Sequence, residues 1–200
     1  MGERIPDGVA GVAGVADVAD VADVADVADV ATRDSMIAAW ERLCADPQLA
    51  GLPFKVETTF EGKIIMSPAN LRHSLLQGEV VGLLHSMVRE SGCGGRVMSE
   101  CPVVTGDGVK VPDVAWLSPA QAVAFAGKVA APEAPELCVE IKSPSKSKNE
   151  MDIKRALYFG AGAREVWICD EPGTLTFWNL GGRVKRSKLF PLFSVLVNPS

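Results

Sequence analysis

Glu140 and Lys142 stand two residues apart in the stretch PELCVEIKSPSK at 135–146. In an extended chain, residues i and i+2 share a face, so a carboxylate and an ammonium would point at one place. Leu137, Val139 and Ile141 alternate with Glu136, Cys138, Glu140 and Lys142. That alternation predicts a half-buried strand with one apolar face. The same acid-x-Lys spacing recurs at Glu61/Lys63, on an expected hairpin turn, and at Asp152/Lys154, on an expected helix. Positions two apart on a helix diverge. Only Glu140 and Lys142 combine the spacing with an apolar strand. The plain alternative is a salt bridge at a strand end.

A second carboxylate, Asp113, follows Pro112 in VKVPDVAWLS at 109–118. Proline removes a ladder donor and marks a strand start or an edge. If the two strands are neighbours, Asp113 and Glu140 converge. Two carboxylates held close repel unless a cation joins them. A hard divalent ion, Mg2+ or Mn2+, takes such oxygen ligands and keeps several waters. The backbone carbonyl of Ile141 offers a third ligand. Water on such an ion is a ready nucleophile. Lys142 would orient that water or offset charge building on a phosphate.

These residues need a scaffold, and the pattern around them predicts one α/β domain. SMIAAWERLCADP reads as a short helix with Ser35 as N-cap and Pro47 beyond its end. FKVETTF and KIIMS flank Glu61-Gly62 as a hairpin. Ser67-Pro68 opens a long helix to about Glu90, with Leu71, Leu75, Leu76, Val80, Leu83, Leu84, Met87 and Val88 at helical spacing. RVMSECPVV and VKVPDVAWLS flank the turn TGDG, and an Ala- and Pro-rich loop covers 118–135. After ELCVEIK come a polar loop, a helix over about 150–161, and the strands REVWICD and TLTFWNL. This order fits a mixed sheet flanked by helices better than a clean βαβ repeat.

Residues 9–31 repeat Val-Ala-Asp or Val-Ala-Gly with period three. That period matches neither a helix face nor a strand face, so disorder is the expectation. The chain then divides into a low-complexity tail at 1–34 and a folded domain at 35–200, with Met36 as a plausible shorter start. Net charge is −5, but residues 1–35 carry eight acidic and two basic side chains. Residues 36–200 are nearly neutral, and 142–188 hold ten basic against five acidic residues. That asymmetry permits a polyanionic partner, although a solvated surface explains it as well. No apolar run is long enough to span a bilayer, and no secretory signal is visible. Five scattered cysteines form no CxxC pair, which argues against a disulfide framework and for a cytoplasmic protein.

The stretches EGKIIMSP, VPDVAWLS, PELCVEIKSPS, DIKRALYFGAG, REVWICD and TLTFWNL together resemble the Uma-type restriction endonuclease family of the PD-(D/E)xK nuclease superfamily. The resemblance spans roughly 54–180. It implies a restriction-endonuclease-like α/β fold and Mg2+-dependent hydrolysis of DNA phosphodiester bonds. It also implies Asp113, Glu140 and Lys142 as the metal and catalytic positions. Thr58 departs from the pattern, which has a Glu there. The family reading adds supporting candidates. His73 lies one turn into the long helix, with a capping role as its alternative. Glu79 on that helix is either a further metal ligand or a solvated side chain. Lys154 and Tyr158, four apart on one helix face, either hold a phosphate, orient Lys142 or pack on the sheet. His85 lies twelve residues after His73 and faces elsewhere on the helix. One site per chain suits a homodimer, since two strands need two cuts. The competing function is a binding module that holds nucleic acid or protein without cutting. Against sequence-specific reading by this domain alone, no helix-turn-helix, zinc finger or aromatic-rich basic motif is present.

Overall fold

The computed structural model describes residues 30–49, 54–68, 70–143 and 146–197. Helix α1 spans Val30–Ala45, so Ser35 lies inside it and is not its cap. The period-three repeat lies outside the described residues except at its last two positions, where α1 begins. Strands β1 (Phe54–Thr58) and β2 (Ile64–Pro68) form the expected hairpin as a separate two-stranded sheet. Pro68 closes β2 and does not open a helix. Instead Asn70 caps α2 (Leu71–Ser91), its side-chain oxygen accepting the His73 N–H at 3.2 Å. Gly92, at φ 66°, ends that helix in the left-handed conformation that glycine adopts without strain.

Each long strand expected around the TGDG turn is divided. β3 (Arg96–Ser99) and β4 (Val103–Thr105) are separated at Glu100. Glu100 has φ 52°, the one positive value outside glycine among the described residues. β5 (Gly108–Lys110) and β6 (Val114–Leu117) are separated at Pro112-Asp113. β4 and β5 form a small hairpin that packs under α1 through Trp40, Val104, Val109 and Val111. Gly108 sits at φ 78°, and a Cβ there would meet the Thr58 carbonyl oxygen at 2.6 Å. Only glycine lets this turn press against β1.

The expected loop after β6 contains a short helix, α3 (Pro119–Ala124), capped by Ser118. β7 (Leu137–Ile141) follows, then α4 (Lys148–Gly160), β8 (Glu165–Cys169), β9 (Leu175–Asn179) and β10 (Gly182–Val184). Ser147 and Glu150 form a capping box at the start of α4. The main sheet has the order β10-β9-β8-β7-β6-β3. β7 runs parallel to β8, and the other ladders are antiparallel. This is the mixed sheet that the pattern predicts.

β7 differs from expectation in one respect: all five of its residues are buried, so both faces are covered. Leu137, Val139 and Ile141 face α2 and pack with Leu76, Val80, Leu84, Trp167 and Phe177. Cys138 faces the other way, into a cluster with Tyr158, Ala163 and Val166 beside α4. Burying each large side chain contributes about 1.5–3 kcal/mol, which fixes α2 and α4 on opposite faces. On α2, Leu71, Leu75 and Leu83 belong to the helical repeat yet stand exposed. No helix among the described residues is long and apolar enough to cross a membrane.

Candidate active site

Register sets the two acidic residues opposite one another. Val114 pairs with Val139 across β6 and β7, and one further step sets Asp113 opposite Glu140. Across β3 and β6, Ser99 pairs with Val114, and the same step sets Glu100 opposite Asp113. Three acidic residues therefore end three adjacent strands.

Asp113 is held at every polar atom beyond its own N–H. Its backbone carbonyl accepts from Gln77 Nε2 at 2.8 Å and from the Glu100 N–H at 3.1 Å. Its carboxylate accepts from Lys55 Nζ at 2.5 Å and from the Ile141 N–H at 2.7 Å. His73 Nε2 lies 3.2 Å from Oδ2. The residue is fully buried. Burial pushes its carboxyl up, but the Lys55 ammonium and His73 outweigh burial and hold it well below the usual carboxylate range.

Glu140 points toward α4, as the alternation along β7 requires. Oε1 accepts the Tyr158 hydroxyl at 2.5 Å, and Lys154 Nζ lies 3.1 and 3.2 Å from its two oxygens. Lys154 and Tyr158 meet it because they are four apart on one helix face. Lys154 also donates to Glu57 Oε1 at 2.7 Å, and Glu57 accepts the Val111 N–H at 2.9 Å. For Lys154, burial pulls the ammonium down, but Glu140 and Glu57 raise it above the usual lysine value. For Glu57, burial raises the carboxyl, and Lys154 and Lys55 bring it below its usual range. Burial and the adjacent Glu140 push the Tyr158 hydroxyl well up.

The other expected positions are placed differently. Lys142 lies just past the end of β7, in a narrow recess with Asn70, Arg72, His73 and Glu171. Among the described residues its ammonium has no hydrogen-bond or ion-pair partner, and the cations on the carboxylates are Lys55 and Lys154. His73 borders both this recess and the Asp113 cleft. Glu79 and His85 are exposed on α2 and join neither. Ser143 lines the cleft, and Ser145 lies outside the described residues.

Lys55, Glu57, Gln77 and Glu100 escape a reading based on motif spacing. Lys55 and Glu57 had a visible signal. They are two apart on the apolar strand FKVET, the same lysine–acid pattern as Glu140/Lys142 in reverse order. Glu57 adjoins Thr58, the position where the family's Glu is absent, and supplies a buried carboxylate there. Gln77 and Glu100 act through backbone contacts that no local pattern displays.

Above Asp113 a cleft of about 320 Å³ opens, bordered by Lys55, Asn70, His73, Glu100, Ser143 and Lys146. Asp113 and Lys55, which line it, belong to a buried cluster of three carboxylates and two ammonium groups, a formal net charge of −1 with His73 neutral. No group of three or more His, Cys, Asp and Glu side chains converges as a ready ligand set among the described residues. What the cluster offers is carboxylates on two residues opposed in register, beside a strand-end carbonyl. Those are hard oxygen donors, suited to a divalent ion that keeps most of its waters.

A crystal structure titled as a "putative nuclease belonging to DUF820" from Anabaena variabilis ATCC 29413 shares this fold. It superposes with a TM-score of 0.52 at 23% identity, over 72% of this chain and 76% of that one. Among curated proteins, none matches the chain. The Uma2 family, described as "Putative restriction endonuclease", matches residues 40–193. That span takes in β1 through β10 and every residue of the Asp113–Glu140 cluster, and the chain belongs to the Uma2 family.

Proposed function

We propose that the protein is a metal-dependent endonuclease that hydrolyses DNA phosphodiester bonds. The observation that carries this reading is the register opposition of Asp113 and Glu140, both buried, with Asp113 lining an open cleft. Burying acidic groups as ions is costly, and a protein retains such a cluster at a site that uses charge. Asp113, Glu140 and the Ile141 carbonyl would hold a Mg2+ or Mn2+ ion. When bound, such an ion activates water and offsets charge on the phosphate.

The chain's own groups do the rest. Gln77 and Glu100 fix the Asp113 backbone, so its carboxylate needs no reorganisation. Tyr158 and Lys154 fix Glu140 from α4. Lys142, beside His73 at the recess, is the group that orients the attacking water or offsets charge on the phosphate. Lys146, at the cleft rim, supplies a positive contact for a flanking phosphate.

The test is cleavage of plasmid and linear DNA by the full chain with Mg2+ or Mn2+. Chelator, Asp113→Asn and Lys142→Met should each abolish cutting, with the folded circular-dichroism signal retained. Salt-sensitive DNA binding with no cleavage in either metal would overturn the reading and leave a non-cutting binding module.

A further inference from the structure

Lys55 approaches Asp113 from the β1 hairpin, outside the sheet that carries both carboxylates. Asp113 Oδ2 accepts the Ile141 N–H and faces His73. Oδ1 has one partner among the described residues, the Lys55 ammonium. Lys55 therefore sits on the carboxylate oxygen that a cation would need. Lys154 is tied to both Glu57 and Glu140, whereas among the described residues Lys55 pairs with Asp113 alone.

Lys55 also has room to move. It borders the Asp113 cleft and an adjoining cavity of about 210 Å³ beneath α1. Glu100 borders both spaces, and its carboxylate has no hydrogen-bond or ion-pair partner among the described residues. A lysine stem with several rotatable bonds can pass between such positions, unlike a backbone donor. Charge points the same way. A divalent ion added to a cluster of net −1 gives +1, which one phosphodiester cancels. If Lys55 stayed on Asp113, two cations would crowd one carboxylate.

We propose that Lys55 is a resident counter-ion. It holds Asp113 Oδ1 until a divalent cation arrives, then releases it and turns into the cleft, with Glu100 as its next partner. This rests on the reading of Asp113 and Glu140 as a cation site. Lys55 is thus a positioning residue that sets how readily the site loads.

The test is calorimetric titration of Mg2+ into the full chain, with wild type, Lys55→Met, Lys55→Arg and Glu100→Gln compared at one pH and salt concentration. Lys55→Met should bind tenfold or more tightly than wild type, because nothing competes for Oδ1. Lys55→Arg should bind no more tightly than wild type. Glu100→Gln should bind several-fold more weakly, because the released ammonium loses its partner. Equal or weaker binding by Lys55→Met overturns the proposal while wild-type binding leaves the metal reading standing. Should Lys55→Met not fold, unchanged affinity in Glu100→Gln overturns it. No binding by wild type or Lys55→Met overturns both.

Discussion

Replacing Lys154 with Met removes one ammonium from between two carboxylates. Glu140 keeps the Tyr158 hydroxyl, and Glu57 keeps the Val111 N–H. Both side chains are nearly inaccessible, so water cannot replace the lost charge. Breaking a buried pair in this way costs about 3–5 kcal/mol. The chain has one escape, protonation of a carboxyl. From the ordinary glutamate value of 4.5, that escape costs about 1.4 kcal/mol per pH unit. At pH 8 it costs about 5 kcal/mol, as much as the broken pair, and at pH 5.5 about 1.4 kcal/mol. Lys154→Met should therefore lose about 4 kcal/mol at pH 8 and about 1.5 kcal/mol at pH 5.5. Adding Glu57→Gln should recover most of the loss at pH 8, since Glu140 alone retains a hydroxyl partner. Urea denaturation of the three proteins at the two pH values measures this. A loss below about 1 kcal/mol at pH 8, or one that does not shrink toward pH 5.5, would refute the idea that Lys154 neutralises two buried charges.

Other expectations lie away from the cleft. Glu165 is buried with no ion-pair partner among the described residues; it accepts from Trp167 Nε1, Ser187 Oγ and the Lys188 and Leu189 N–H groups. Glu165→Ala should cost about 2–4 kcal/mol and expose the segment after Ser187 to protease, because several buried donors lose their acceptor. An intact C-terminal segment in limited proteolysis would contradict this. Cys44 and Cys93 are exposed, whereas Cys101, Cys138 and Cys169 are buried. A thiol reagent at neutral pH should label two cysteines in the folded chain and all five in denaturant. Burial pushes the Cys101 thiol up to about 12, from an ordinary 9.0. A thiol raised on folding keeps its proton where the unfolded chain loses it, so its stabilisation is complete below pH 9 and declines as pH rises toward 12. Cys138 and Tyr158, also raised by burial, act in the same direction. Stability should fall by about 1.4 kcal/mol per pH unit for each such group, above pH 9 for the two thiols and above pH 10 for Tyr158, as denaturant midpoints across that range would show.

The sheet was legible where periodicity is local. β7, β8 and β9 fall where alternation puts them, and α2 and α4 where helical repeats put them. The expected single apolar face of β7 failed for a physical reason. Charged residues read as solvent-facing, yet Glu140 is buried because Lys154 and Tyr158 come to it from a helix that follows in the chain. Leu71, Leu75 and Leu83 keep helical spacing but stand exposed, since which side of α2 meets the sheet is a tertiary matter. The break at Glu100, where the backbone turns to φ 52°, was passed over although Pro102 stands two residues later in RVMSECPVV. Asp113 and Glu140 were readable as one site, while the visible Lys55/Glu57 spacing gave no sign that it joins them. The first two share neighbouring strands of one sheet, and the last two arrive on a separate hairpin.

The proposed activity requires that Asp113 and Glu140 form one cation site. The most direct measurement is Mg2+ binding by calorimetry to the full chain, with Asp113→Ala and Glu140→Ala beside wild type. Binding to wild type that disappears in both folded variants is the predicted result. Binding that survives in either variant, or no binding to wild type, would contradict it.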